Sequence, residues 1–195
     1  MVIGMSIDPM LICSYVWAAF LVIWIGWALK TKPTQAREGA SSRLSYLPLL
    51  IAGAYLMFSG DVPEQFLRER IFAPDTLTNA LGIGITIAGV AFAIWARAYL
   101  GGNWSSAVTV KVGHQLIKTG PYRFVRHPIY TGMILGFWGT AVVRHQVRGV
   151  LAAVLLGLGF KIKSKIEERT MIETFGAQYE EYRHSTGAIL PRLRS

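Results

Sequence analysis

Leu11-Ile12-Cys13-Ser14-Tyr15-Val16-Trp17-Ala18-Ala19-Phe20-Leu21-Val22-Ile23-Trp24-Ile25-Gly26-Trp27-Ala28-Leu29 is a run of 19 residues without a single charge. About 20 such residues wound as a helix match the hydrocarbon thickness of a bilayer. No basic segment precedes the run, and Lys30 and Lys32 follow it, so it reads as a retained span rather than a cleaved leader. Composition extends this reading to the whole chain. Of 195 residues, 52% are hydrophobic and 16% charged, against roughly 25% charged in soluble domains, and mean hydropathy is +0.39.

Further apolar runs follow at Leu44–Phe58, Leu77–Leu100, Ile129–Val143 and Gly149–Phe160. The expectation is an all-α polytopic membrane protein with about five transmembrane helices. The last two runs are short and divided by Arg144-His145-Gln146-Val147-Arg148, which predicts a tight helical hairpin. A short surface helix is expected around Glu64–Phe72. Gly82, Gly84, Ala88, Gly89 and Ala91 mark the third span as one that neighbours approach closely. One integral membrane domain, 1–195, is expected, with helices 1–3 in residues 1–96 and a functional half in residues 97–195.

The net charge of +9 divides unevenly. With the N-terminus outside, the inner segments 30–43, 97–128 and 161–195 carry 16 of the 20 Lys and Arg. The outer side keeps Arg68, Arg70, Arg144 and Arg148. That asymmetry orients the chain with its C-terminus in the cytoplasm. The basic residues are spread over separate loops, so they face lipid head groups rather than nucleic acid. Cys13, the single cysteine, forms no internal disulfide and reads as a packing residue. The four histidines, His114, His127, His145 and His184, have no metal-ligand spacing.

Two polar clusters share the inner face. Gly113 to Tyr130 concentrates His, Tyr, Arg, Gly and Pro where the fourth helix begins. Pro128 suits the first turn of that helix. Arg126 and His127 then lie at its mouth, near free backbone N–H groups that favour an anion. The second cluster follows the last span. Met171, Phe175, Tyr179 and Tyr182 recur at helical spacing, the pattern of an amphipathic helix on or beside the membrane. Glu167 and Glu168 sit at the membrane boundary, where a carboxylate needs a partner, whether a ligand or a neighbouring Lys or Arg. Arg126, His127 and Glu168 are the candidate catalytic residues.

The order Gly113-His114-Gln115-Leu116-Ile117-x-x-Gly120-x-Tyr122-x-x-x-Arg126-His127-Pro128-x-Tyr130, then Glu167-Glu168, then Phe175-Gly176-x-x-Tyr179-x-x-Tyr182, resembles the isoprenylcysteine carboxyl methyltransferases. Gly102-Asn103-Trp104-Ser105 adds a likeness to prokaryotic members. The resemblance covers about residues 97–193. It implies transfer of the S-adenosyl-L-methionine methyl group to the carboxylate of an isoprenylcysteine-like, lipophilic substrate. It implies a cytoplasmic cofactor pocket built from the loop before the fourth helix and the C-terminal helix. The implied cofactor contacts are His114, Gln115, Leu116, Ile117, Tyr122, His127, Pro128, Ile129, Tyr130 and Glu167, with no metal. The family's substrate-binding arginine corresponds to Lys163, which keeps the charge but lacks the bidentate fork. Alternative acceptors are a phospholipid amine, for which Glu168 or His127 is the available base, and a small thiol. A nicotinamide-dependent membrane reductase, which shares the Arg-His-Pro segment, is the alternative of another class. The expected partners are the membrane and a lipid or lipophilic small molecule, in a prokaryotic inner membrane.

Overall fold

The computed structural model describes residues 7–28, 34–37, 39–101, 104, 109–111 and 116–192. Eight helices occur among them. α1 is Pro9–Ala28, α2 Ala40–Leu44, α3 Leu47–Phe58, α4 Gln65–Arg68, α5 Thr76–Leu100, α6 Pro128–Arg144, α7 Val147–Phe175 and α8 Ala177–Ser185. A 3-10 turn at Gly120–Arg123 precedes α6. Two helices, α1 and α5, are long and apolar enough to cross a membrane. Many of their large side chains face outward: Tyr15, Val22 and Ile25 on α1 and Leu77, Leu81 and Ile87 on α5 are all exposed. In a soluble protein such a surface would drive aggregation; against lipid it is the expected surface.

One departure from an all-helical chain is a two-stranded antiparallel ladder. β1, Thr34–Arg37, pairs with β2, Thr109–Lys111, in the register Thr34 to Lys111 and Arg37 to Thr109. Thr109 and Val110 are β-branched residues that disfavour helix and suit a strand. The ladder joins the segment after α1 to the segment after α5.

α5 packs along α6 and α3 along α7. The α5–α6 contact is backbone on backbone. A Cβ on Gly89 would lie 2.4 Å from the Gly136 nitrogen, and one on Gly132 would lie 2.5 Å from the Gly89 oxygen. Of the small residues in α5, Gly82 and Gly89 serve this contact, whereas Gly84 meets nothing within 4 Å and Ala88 and Ala91 are exposed. Two threonines in the seam satisfy their hydroxyls on the preceding turn, Thr86 on the Gly82 carbonyl and Thr140 on the Gly136 carbonyl, each at 2.9 Å. Trp17 of α1 donates its indole N–H to Thr140 Oγ1 at 2.9 Å and stacks on Phe137 with centroids 4.2 Å apart.

Two sequence expectations change here. α7 is one helix of 29 residues rather than a short span followed by a separate tail. Nothing between Phe160 and Phe175 breaks it, and at 1.5 Å per residue it is about 44 Å long. It stops at Gly176, whose φ is +52°. The surface helix expected at 64–72 is a single turn, Gln65–Arg68, after which Arg70 bridges Gln146 and Val147 N–H donates to the Glu69 carbonyl at 3.0 Å.

Candidate active site at the start of α6

The segment before α6 and the glutamates of α7, about 40 residues apart in sequence, meet in direct contact. His127, 9% exposed, precedes the first turn of α6. Its Nδ1 lies 3.4 Å from Glu167 Oε2 and its Nε2 lies 3.3 Å from Glu168 Oε1. The ring also stacks on Tyr130, one turn along the same helix, with centroids 5.6 Å apart. Tyr130 donates its hydroxyl to Glu167 Oε1 at 2.5 Å. Lys163, one turn before Glu167, places Nζ 3.9 Å from the same oxygen. Arg126 donates from Nε to Glu168 Oε1 at 2.8 Å, and its Nη2 is 2.7 Å from that oxygen.

Burial pushes both carboxyls toward neutrality. For Glu167 the His127 hydrogen bond and the Lys163 charge outweigh it, and for Glu168 the His127 and Arg126 hydrogen bonds do, so both pKa values lie below the ordinary 4.5. His127 is the mirror image: burial disfavours its charged form, but Glu167 and Glu168 hold its pKa above the ordinary 6.5. The cluster therefore contains two carboxylates matched against Arg126, Lys163 and a histidine that favours protonation.

The C-terminal segment closes the cluster. Arg126 N–H donates to the Gly187 carbonyl and His127 N–H to the Ala188 carbonyl, each at 2.9 Å, while Thr131 Oγ1 donates to the Ile189 carbonyl at 2.6 Å. Arg126 Nη1 donates to the carbonyls of Arg183 and Thr186. The amides just ahead of α6, expected to await an anion, are thus taken by the chain's own carbonyls. Arg126, with donors on Glu168, Arg183 and Thr186, is tied into the scaffold.

Tyr179 and Tyr182 of α8 are buried in protein instead of facing lipid. Gly176 turns α8 back onto the segment before α6, where Tyr182 donates its hydroxyl to the Tyr122 carbonyl and Lys118 Nζ donates to the Gln178 carbonyl at 3.2 Å. Tyr122 is buried and donates to the Ala96 carbonyl at 3.4 Å. Burial pushes the Tyr122, Tyr179 and Tyr182 phenols up, so all three are neutral. A cleft of about 270 Å³ lies between the two stretches, lined by Lys118, Arg123, Glu181, Tyr182, Ser185 and Thr186. His127, Glu167 and Glu168 do not line it.

The remaining sequence candidates fall in three groups. His114 and Gln115 lie outside the described residues. Leu116 and Ile117 are half-buried. Pro128 is fully buried, and Ile129 packs with Ala96 and Trp104. Sequence reasoning missed Tyr46, 5% exposed at the start of α3, whose ring lies 5.7 Å from Lys163 Nζ while Tyr130 faces the same ammonium at 5.6 Å. It also missed Arg97, whose guanidinium lies 4.3 Å from the Trp104 ring, 5.6 Å from Trp27 and 5.9 Å from Trp24. No local motif announces either residue, because both act through ring faces supplied by distant segments.

Fold and site together define a helical protein with bilayer-length apolar helices and a buried ionic centre at one end of the bundle. Residues 77–178, more than half of the chain, match the phospholipid methyltransferase family, and the chain belongs to it. It is similar to a methanethiol S-methyltransferase of Pseudomonas deceptionensis, 35% identical over 37% of this chain and 27% of that protein. It is also similar to the protein-S-isoprenylcysteine O-methyltransferase of Saccharomyces cerevisiae, 31% identical over 59% and 49% of the two chains. A probable protein-S-isoprenylcysteine O-methyltransferase of Oryza sativa subsp. indica is 26% identical over 73% and 78%. The matched segment spans from about a quarter to half of the first relatives' length.

Proposed function

We propose that this chain is an S-adenosyl-L-methionine-dependent methyltransferase that acts on a lipophilic, anionic acceptor, with carboxyl O-methylation of an isoprenylcysteine-like molecule as the leading reaction. The observation that carries the proposal is Glu167, a half-buried carboxylate gripped by His127 and Tyr130 from one stretch and Lys163 from the other.

The donor set suits the cofactor. Its ammonium and sulfonium call for carboxylates and aromatic faces, and Glu167, Glu168, Tyr130 and Tyr46 supply both. When bound, the cofactor provides an electrophilic methyl group. The chain's own residues do the rest. Glu167 would hold the cofactor's ammonium, and Tyr122, Ile129, Tyr130, His114 and Gln115 would complete its surroundings. His127 and Arg126 hold the two glutamates in place. Lys163 attracts the acceptor's negative charge. A carboxylate of ordinary pKa is already ionised at neutral pH, so no general base is needed. Burying it at the bilayer edge strips its hydration, and fixed positioning lowers the barrier further.

Charge selects among acceptors. Arg126 and Lys163 balance Glu167 and Glu168, protonation of His127, which the two carboxylates favour, adds a surplus of one, and a cofactor with a net positive charge enlarges it. That field favours a carboxylate or thiolate over an amine, which would become cationic on transfer. A small thiolate is the second reading, supported by the likeness to the methanethiol enzyme. The proposed topology has about five spans, formed by α1, α3, α5, α6 and the first half of α7, in a prokaryotic inner membrane. The N-terminus is outside, residues 97–195 form the catalytic half and the cluster faces the cytoplasm, on the strength of the Lys and Arg asymmetry.

The test is to incubate purified protein with methyl-labelled cofactor and, separately, farnesylcysteine, ethanethiol and phosphatidylethanolamine. Label in farnesylcysteine is the expected result. Label in the thiol alone moves the assignment to the second reading. Label in the phospholipid alone, or in none of the three, overturns the anionic-acceptor proposal.

A further inference from the structure

The opposite end of the α6–α7 hairpin carries a second polar centre that the methyl-transfer chemistry does not use. α6 has 17 residues, so Arg144 lies about 25 Å along the helix from His127. That separation approaches the thickness of the hydrocarbon core, and the two ends of α6 therefore meet opposite leaflets.

Four buried side-chain polar atoms lack a hydrogen-bond partner among the described residues, and three of them belong to this end: Ser59 Oγ, Arg144 Nε and His145 Nδ1. Arg144 and Arg148 lie close together across the turn: a Cβ on Gly149, the residue after Arg148, would be 3.3 Å from the Arg144 Cβ. Arg148 is 5% exposed and donates from Nε to Gln146 Oε1 at 2.6 Å and from Nη1 to the Ser59 carbonyl at 3.2 Å. Among the described residues neither arginine forms an ion pair with a carboxylate. Asp8 attracts Arg144 and Asp61 attracts Arg148 from a distance, without an ion pair in either case; Asp61 pairs with Arg68, and Asp75 caps α5 through Leu77 and Thr78.

Arg144 is half-buried and its buried Nε has no acceptor among the described residues; a buried donor left open in this way is costly, and native structures rarely tolerate it unless something fills the place. Two adjacent arginines match an oxyanion with several acceptor oxygens. Exposed Ile71, Phe72 and Val150 flank the site with apolar surface suited to acyl chains. Phe72 stands edge-on to His145 at 4.9 Å.

We infer that Arg144 and Arg148, at the end of the α6–α7 hairpin remote from the His127–Glu167–Glu168 cluster, bind an oxyanion, the phosphodiester of a membrane lipid in the opposite leaflet. The site is independent of methyl transfer and stands or falls separately from it.

The experiment titrates delipidated, detergent-purified full-length protein with dioctanoyl-phosphatidylglycerol, with dioctanoylglycerol, which has the same tails without phosphate, and with inorganic phosphate. Binding is read from the shift in thermal unfolding. The phospholipid is expected to bind at least about tenfold more tightly than dioctanoylglycerol, the gain of one charge-assisted contact. Arg144→Gln should abolish that preference while leaving the melting temperature of the lipid-free protein unchanged or raised, because it removes a buried donor that has no acceptor among the described residues. Equal binding of the two lipids overturns the inference, as does undiminished phospholipid binding by Arg144→Gln. A variant that fails to fold without lipid overturns it too, since Arg144 would then have a structural partner. Inorganic phosphate binding as tightly as the phospholipid keeps the oxyanion and overturns the lipid as its source.

Discussion

Tyr130 and Glu167 are joined by a 2.5 Å hydrogen bond across the α6–α7 interface, and that bond links the turn-rich entry of α6 to the charged half of α7. Tyr130 also stacks on Phe160, with centroids 5.0 Å apart, so the hydroxyl is aimed by packing on both sides of its ring. Tyr130→Phe keeps the stacking and removes the donor. A hydrogen bond to a charged group contributes about 1.5–3 kcal/mol, so cofactor affinity measured by calorimetry should fall roughly tenfold or more. Glu167→Gln should weaken it further by removing the charge, and unchanged affinity in either variant would contradict the proposed role of Glu167.

The paired titrations of His127 and Glu168 set a pH window for the C-terminal clamp. His127 has its pKa raised above 6.5 in the folded protein. Its contribution is complete below pH 6.5 and disappears as pH rises through the raised folded value. Glu168 has its pKa lowered below 4.5. Its contribution is complete above pH 4.5 and disappears as pH falls through the lowered folded value. Thermal stability should therefore plateau between the two and decline on both sides. His127→Gln should remove the alkaline decline and leave a decline on the acid side, as followed by melting temperature across pH 4 to 9. A variant with the wild-type alkaline limb would exclude His127 as its source.

Much of this architecture is legible from composition and periodicity, since uncharged runs such as Leu11–Leu29 depend only on local sequence. The cluster was half legible: Arg126, His127, Tyr130, Lys163 and Glu167 carry chemistry in their residue types, and their encounter follows from a hairpin that the sequence predicts. The partners that act through the backbone are invisible. Nothing in Gly187, Ala188 or Ile189 signals that their carbonyls will occupy the amides and hydroxyl at the start of α6. Tyr46 is equally silent, because a ring face over Lys163 has no spacing signature. The facing of α8 is open in the sequence for a related reason. The Tyr179 and Tyr182 stripe is the same whether it faces lipid or protein, and Gly176 decides between them by turning the chain.

Arg97 tests whether the aromatic cage needs a guanidinium or merely a charge. Its Nη1 donates to the Gly101 carbonyl at 2.9 Å and Nη2 to the Trp27 carbonyl at 3.3 Å, while its plane meets Trp104. Arg97→Lys keeps the charge but cannot reach two carbonyls and stack at once. Losing a desolvated cation–π contact costs about 2 kcal/mol. The variant should unfold several degrees lower than the wild type, and intrinsic tryptophan emission should shift because Trp24, Trp27 and Trp104 share the cage. An unaltered melting temperature would show that the cage tolerates any cation.

Two glycines on one helix separate close approach from mere small size. Gly89 and Gly84 both lie in α5 and look alike in sequence. A Cβ on Gly89 would fall 2.4 Å from the Gly136 nitrogen and 2.5 Å from the Gly132 oxygen, both backbone atoms that move only if α5 and α6 separate. Gly84 has nothing within 4 Å. Gly89→Ala should therefore cost about 1–3 kcal/mol, the range for overpacking. Gly84→Ala should be neutral or stabilising by up to about 1 kcal/mol, because alanine is the better helix former. Because α6 also carries His127 and Tyr130, forcing the two helices apart should raise the KM for cofactor in Gly89→Ala, while Gly84→Ala retains the wild-type value. Equal melting temperatures for the two variants would mean that α5 and α6 are not packed backbone to backbone.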